Sequence, residues 1–143
     1  MKLEVGMYVR TIEGYIAKII EVNDKIIKFD RPIRDITCLV YDDDHFLFKE
    51  EVERYIVKTS RNPKSDILAL LNLIEVGDFV NGFETTDFEG FDEDGNYEEG
   101  IGIPIYDDAN LDCIVEYRPI RTLKITSILT KEQFKARAYE VGE

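Results

Sequence analysis

Chemistry, if this chain performs any, has few places to sit. The densest is Phe91-Asp92-Glu93-Asp94-Gly95-Asn96-Tyr97-Glu98-Glu99, which sets carboxylates around a glycine and between two aromatics. A calcium loop is the first chemistry to test there. Aligning Gly95 with the invariant sixth-position glycine of an EF-hand places Gly90 first and Ile101 last, where carboxylates are required. The stretch reads instead as a hairpin tip, with Asp94-Gly95 as the turn pair and a charged rim. The second cluster is Asp42-Asp43-Asp44-His45, which holds the sole histidine. Four consecutive residues do not converge on one ion without a tightly curled loop, so a solvated loop is the simpler reading. A Ser or Cys nucleophile needs a base, and His45 is the one candidate. Gly100-Ile101-Gly102 lacks the third glycine and the lysine of a phosphate loop. The two cysteines, Cys38 and Cys113, are far apart and form no CxxC, which argues against zinc and for two buried thiols. No cofactor is expected.

Charge is the strongest signal. The 143 residues carry a net charge of -12. Residues 1–71 hold 13 acidic and 12 basic groups, whereas residues 72–143 hold 17 acidic and 6 basic groups. From Ser65 to Tyr117 there are 15 carboxylates and no Lys, Arg or His. Such a field repels phosphates and attracts basic protein surfaces. Aromatics lie within it: Phe79, Phe83, Phe88, Phe91, Tyr97 and Tyr106. They read either as core residues of a small β domain or as anchors among carboxylates suited to a basic, partly apolar partner. On the second reading the partner-binding surface comprises Asp87, Glu89, Phe91, Asp92, Glu93, Asp94, Tyr97, Glu98 and Glu99. The basic residues Lys18, Lys25, Lys28, Arg31 and Arg34 of the first half do not form one stripe and sit in a charge-neutral half, so direct nucleic-acid binding is not expected.

The elements that would position these residues read as strands. Tyr15–Val22 and Lys25–Asp30 form a hairpin about Asn23-Asp24, and Met7–Thr11, Ile36–Tyr41, Phe46–Phe48 and Tyr55–Thr59 are further short β-prone runs. Lys49–Arg54 suits one helical turn. Ser65 is placed to cap a short helix over 66–71. In the second half Phe83–Phe88, Gly100–Tyr106, Cys113–Tyr117 and Leu123–Ile128 read as strands, with Pro104 marking an edge. Thr130-Lys131-Glu132-Gln133 is a capping-box pattern that opens a helix toward Tyr139. The expected fold is mainly β, with two small SH3-like barrel-type units packed together and a short C-terminal helix. Residues 1–60 would form the charge-balanced first unit, 61–73 a connector or short helix, and 74–143 the acidic second unit.

One phrase occurs twice. Leu3–Val9 reads LEVGMYV and Ile74–Val80 reads IEVGDFV. Each would open the first strand of a barrel, with Val5, Val9, Val76 and Val80 pointing into the core. Two readings stand: a duplicated unit, or one common way of starting a barrel strand used twice. There is no apolar run of membrane-spanning length, and MKLEVGMYV lacks a signal peptide's core, so a cytoplasmic protein is expected.

The segments Leu3–Val22, Leu73–Gly82 (LIEVGDFVNG) and Ile128–Glu143 (ILTKEQFKARAYEVGE) together resemble a group of small proteins encoded in phages and prophages of Gram-positive, clostridial-type bacteria. Regions 31–54 and 84–117 lie outside the likeness. The resemblance implies a phage accessory protein at work in the bacterial host's cytoplasm. By analogy it implies a non-enzymatic binder or inhibitor of a host nucleic-acid-binding or defence protein. It carries no functional residue. The alternatives are a binding or sequestering protein for a small ligand such as a nucleotide signal, and a metal-dependent enzyme that uses clustered aspartates.

Overall fold

The computed structural model of the protein describes residues 2–34, 45–91 and 93–137. The strand expected at Ile36–Tyr41, Cys38, the three aspartates before His45, Asp92 and the helix beyond residue 137 fall outside them. Two compact units emerge, one from Met1–Leu73 with Glu132–Glu143 and one from Ile74–Lys131.

The first unit carries an antiparallel sheet of β1 (Tyr8–Thr11), β2 (Ile16–Val22), β3 (Ile26–Phe29), β4 (Phe46–Phe48) and β5 (Ile56–Ser60). Their order is β4-β3-β2-β1-β5. The sheet does not close: β4 and β5 are its edges among the described residues, so a closed barrel is not formed. Asn23 makes the β2–β3 turn by accepting bonds from the amides of Lys25 and Ile26, both at 2.9 Å. A register shift between Ile19 and Glu21 breaks the strand's alternation, turning both Ile20 and Glu21 outward while Val22 still packs on the core. The core comprises Val9, Ala17, Ile19, Ile27, Phe29, Ile33, Leu47, Val52 and Ile56. A 3-10 turn (Lys49–Glu51) runs into α1 (Val52–Tyr55) just ahead of β5, as the sequence suggests.

Strand β1 is buried on both sides. Val9 faces the main core, while Tyr8 packs on Ala69 and Leu73. These two belong to α2 (Asp66–Leu71) and the turn after it, and Ser65 caps the helix by accepting from the Leu68 amide. Arg10 shares the Tyr8 side and is 0% exposed. It donates to the Leu73 carbonyl at 3.0 Å and to Glu132 at 2.7 Å. Glu132 lies in the first turn of α3 (Lys131–Arg137), so one guanidinium ties β1 to segments 63 and 122 residues away. Gln133 adds a bond from its Nε2 to the Glu13 carbonyl.

The second unit holds two three-stranded antiparallel sheets. One contains β6 (Phe79–Val80), β7 (Phe83–Glu84) and β11 (Ile128–Leu129), in the order β11-β6-β7. The other contains β8 (Thr86–Phe91), β9 (Tyr97–Tyr106) and β10 (Ile114–Pro119), in the order β10-β9-β8. The run expected as a strand over Leu123–Ile128 is strand only at Ile128, because a 3-10 turn over Ile120–Thr122 feeds an irregular segment. Pro104 lies in the middle strand, not in an edge strand. It is tolerated because β8 pairs with Tyr97–Gly102 only, which leaves the Pro104 stretch with β10 alone as a strand neighbour.

The repeated phrase forms the same turn twice. Gly6 and Gly77 have φ of 95° and 96°, and the amides of Met7 and Asp78 bond the carbonyls of Glu4 and Glu75. A positive φ at the third residue of a four-residue turn is the geometry of a type II turn and favours glycine. Val9 and Val80 are fully buried, but Val5 and Val76 are 55% and 38% exposed because they occupy the turn's outer corner. The likeness ends with the turn. Strand β1 enters a five-stranded sheet, whereas β6 is two residues long. Met7 is also replaced by Asp78, a fully buried carboxylate that accepts from the amides of Glu75 at 2.8 Å and Lys131 at 2.9 Å. It thereby secures both the turn and the first residue of α3.

Removing the Glu132 carboxylate takes away the anion that faces the buried Arg10 charge. Glu132→Ala is expected to destabilise the first unit by about 3 kcal/mol. Arg61→Ala, which breaks a pair with Glu4 that is half-exposed on both sides, should cost under about 1 kcal/mol. Urea denaturation of the two variants checks the contrast.

Candidate functional site

The acidic segment folds as the β8–β9 hairpin, turning at Glu93–Gly95 with Gly95 at φ 83°. Register assigns its residues to faces. Asp87 pairs with Ile101, Glu89 with Glu99 and Phe91 with Tyr97, so these six share one face. Phe88, Gly90, Glu98, Gly100 and Gly102 share the other. Of the residues singled out from sequence, Asp87, Glu89, Phe91, Tyr97 and Glu99 are therefore brought together. Glu93 and Asp94 sit at the exposed tip, and Asp92 falls outside the described residues. Glu98 points the other way and forms an ion pair with Arg121.

On the acidic face, Glu89 and Glu99 stand directly opposite each other, an arrangement that costs stability when both are ionised. The Tyr97 hydroxyl offsets it, lying 2.9 Å from Glu89 and 3.1 Å from Glu99. Its single proton is held between two anions. The hydrogen bond to Glu89, then desolvation and the bond to Glu99, push the phenol up from its ordinary 10.0 to about 12. Phe91 meets the Tyr97 ring edge-on at 5.8 Å. Phe91 is 74% and Tyr97 54% exposed, with Phe83 and Tyr106 also exposed, so these four aromatics are not core residues.

The opposite face shows a feature that carboxylate counting missed. Phe88 and Tyr117 stack with centroids 6.1 Å apart and ring planes within 11°. They close over β9 where Gly102 leaves room. A Cβ on Gly102 would lie 2.9 Å from both Phe88 Cδ1 and the Arg118 carbonyl oxygen. The alternation Gly100-Ile101-Gly102 was the available signal, since period-2 glycines on a strand clear one face for aromatics from its neighbours. Asp87, Phe88, Glu89, Glu99, Gly100 and Tyr117 line an open groove of ≈ 860 Å³. It presents the Phe88 and Tyr117 rings and no cation, since the side chains of Asp87, Glu89 and Glu99 belong to the acidic face.

Other candidates are dispersed. His45 lines a depression in the first unit with Ile20, Ile26 and Phe46. Among the described residues no three His, Cys, Asp or Glu side chains come together to hold a metal ion. Cys113 is an exposed free thiol rather than a buried one, because it closes the loop between β9 and β10. Of the basic residues in the first half, Lys18 pairs with Asp66, Lys28 with Glu21, Arg31 with Asp30 and Arg34 with Glu51. No helix among the described residues is long and apolar enough to cross a membrane. Comparison with protein-family models, curated proteins and solved structures gives no match.

Two measurements test this geometry. In an ultraviolet titration of the folded protein, one tyrosine should ionise near pH 12, and Glu89→Gln should bring it back toward 10. Because the folded phenol holds its proton more tightly than the unfolded one, its contribution to stability is complete below pH 10.0 and is lost as pH rises through about 12. Separately, Gly102→Ala forces Phe88 off Tyr117 and should lower stability by about 1–3 kcal/mol in chemical denaturation.

Proposed function

We propose that this chain is a non-enzymatic binding protein and that the β8–β9 hairpin is the surface it offers to a basic partner protein. The observation that carries this reading is the cross-strand Glu89–Glu99 pair with Asp87, Phe91 and Tyr97 on the same face. Two carboxylates held against each other gain when a guanidinium or ammonium group docks between them. Exposed rings beside them accept the same cation's planar face. The second unit carries 14 acidic and 4 basic residues, which favours encounter with positive surfaces over long distances.

A surface built to bind phosphates is the protein surface richest in such cations, and carboxylates imitate phosphates there. Together with the phage-type resemblance, this makes a host nucleic-acid-binding or defence protein in the bacterial cytoplasm the partner class we propose. The first unit's order β4-β3-β2-β1-β5, with a helical turn ahead of β5, favours reading it as an open SH3-like unit. A nucleotide ligand is less well supported, because no cation lines the groove beside the hairpin.

An NMR titration of the labelled chain with an arginine-rich peptide tests the reading. Amides of β8 and β9 should shift, and affinity should fall as salt rises from about 0.05 to about 0.5 M. The pair Glu89→Gln/Glu99→Gln, and separately Phe91→Ala, should weaken binding at least about tenfold. No binding, or binding indifferent to salt and to these variants, overturns it. Shifts produced by nucleotides instead would favour the small-ligand alternative.

A further inference from the structure

The β10-β9-β8 sheet has a second open margin. Among the described residues β10 has β9 as its sole strand neighbour, and every residue from Ile114 to Arg118 is exposed. An open edge presents unpaired N–H and C=O groups, and proteins usually blunt such edges by brevity or charge. Strands β4 and β7 are only three and two residues long, β5 carries Lys58, and β8 carries Asp87 and Glu89. Strand β10 has six residues, with exposed Ile114, Val115 and Tyr117.

The phase of its backbone follows from two prolines. Tyr117 stands opposite Pro104, and Pro119 opposite Gly102. Proline has no N–H, so neither pair can exchange both ladder bonds. The β9–β10 bonds fall to Ile103–Arg118 and Ile105–Glu116, in keeping with the Arg118 carbonyl oxygen lying beside Gly102. The N–H and C=O of Tyr117 then point to the open side.

We propose that β10 is a self-association edge, along which two copies of this chain pair antiparallel about a two-fold axis at Tyr117. Tyr117 would exchange both backbone bonds with its own counterpart. Glu116 would face Arg118 of the second copy, and Arg118 its Glu116. These two pairs fall at the narrow positions of the ladder, where side chains are closest. Shifting the centre by one residue either way sets Glu116 on Glu116 or Arg118 on Arg118, so charge selects one register. Self-pairing of the other edge, β8, about Phe88 would oppose Asp87 and Glu89, carboxylate on carboxylate. Within one copy Glu116 and Arg118 are 3.8 Å apart and more than half exposed, so little is lost in re-pairing them. Such an interface is isologous and closes after two copies.

Each copy carries a net charge of -12, so sedimentation velocity is measured at physiological ionic strength, where that repulsion is screened. A concentration-dependent dimer is expected for the native chain. Glu116→Arg and Arg118→Glu each put like charges in both symmetry-related pairs and should weaken the dimer at least about tenfold, with far-ultraviolet circular dichroism unchanged. Mixing the two variants in equal amounts sets the paired arginines of the first against the paired glutamates of the second and should restore association. A native chain that stays monomeric at high micromolar concentration overturns the proposal. So does a dimer indifferent to both variants, which would mean that another surface is used.

Discussion

The first unit is organised around one buried cation. Arg10 has no access to solvent, and a charge in that position is tolerable only where partners are held in place for it. They come from the Leu73 carbonyl after α2 and from Glu132 at the start of α3. Neither segment belongs to the five-stranded sheet, yet both must be in place for Arg10 to be satisfied. Tyr8, two residues earlier on the same side of β1, supplies the apolar counterpart by packing on Ala69 and Leu73. The outer side of β1 is therefore an interior in its own right.

The second unit answers a related problem with the opposite charge. Asp78 is buried at the position where the first copy of the repeated phrase has Met7, and it accepts from the backbone amides of Glu75 and Lys131. The carboxylates beyond it are not buried. They are displayed on a hairpin whose like charges are moderated by one phenol, with aromatic rings exposed beside them. Around this hairpin the sheet is thin: β10 is exposed from Ile114 to Arg118, and Phe88 stacks on Tyr117 over glycine. Exposed aromatics and carboxylates on so slight a sheet do little for its own stability.

Local chemistry made much of this legible in advance. Asn23-Asp24 and Asp94-Gly95 mark turns, Ser65 marks a helix start, and Glu-Val-Gly marks a tight turn, because each acts through neighbours within four residues. The acidic window and its lack of cations are likewise properties of composition. Less legible were features that depend on pairing. Alternation suggested that Val5 and Val76 face the core, but the turn they occupy turns them outward. Pro104 suggested an edge strand, but strand length decided that only part of β9 is flanked on both sides. The exposed Cys113 and the exposed aromatics could not be told from core residues by type, since small β domains bury the same types.

The sequence by itself determined where the chain turns, where its helices begin and where its negative charge accumulates, since all three depend on residues adjacent in the chain. Only the tertiary structure decided that Glu89 opposes Glu99 under one hydroxyl, that Glu98 faces away, and that Glu132 belongs to the unit built on Arg10. Strand register and the burial of a charge are settled by partners that lie tens of residues away, and no local pattern specifies them.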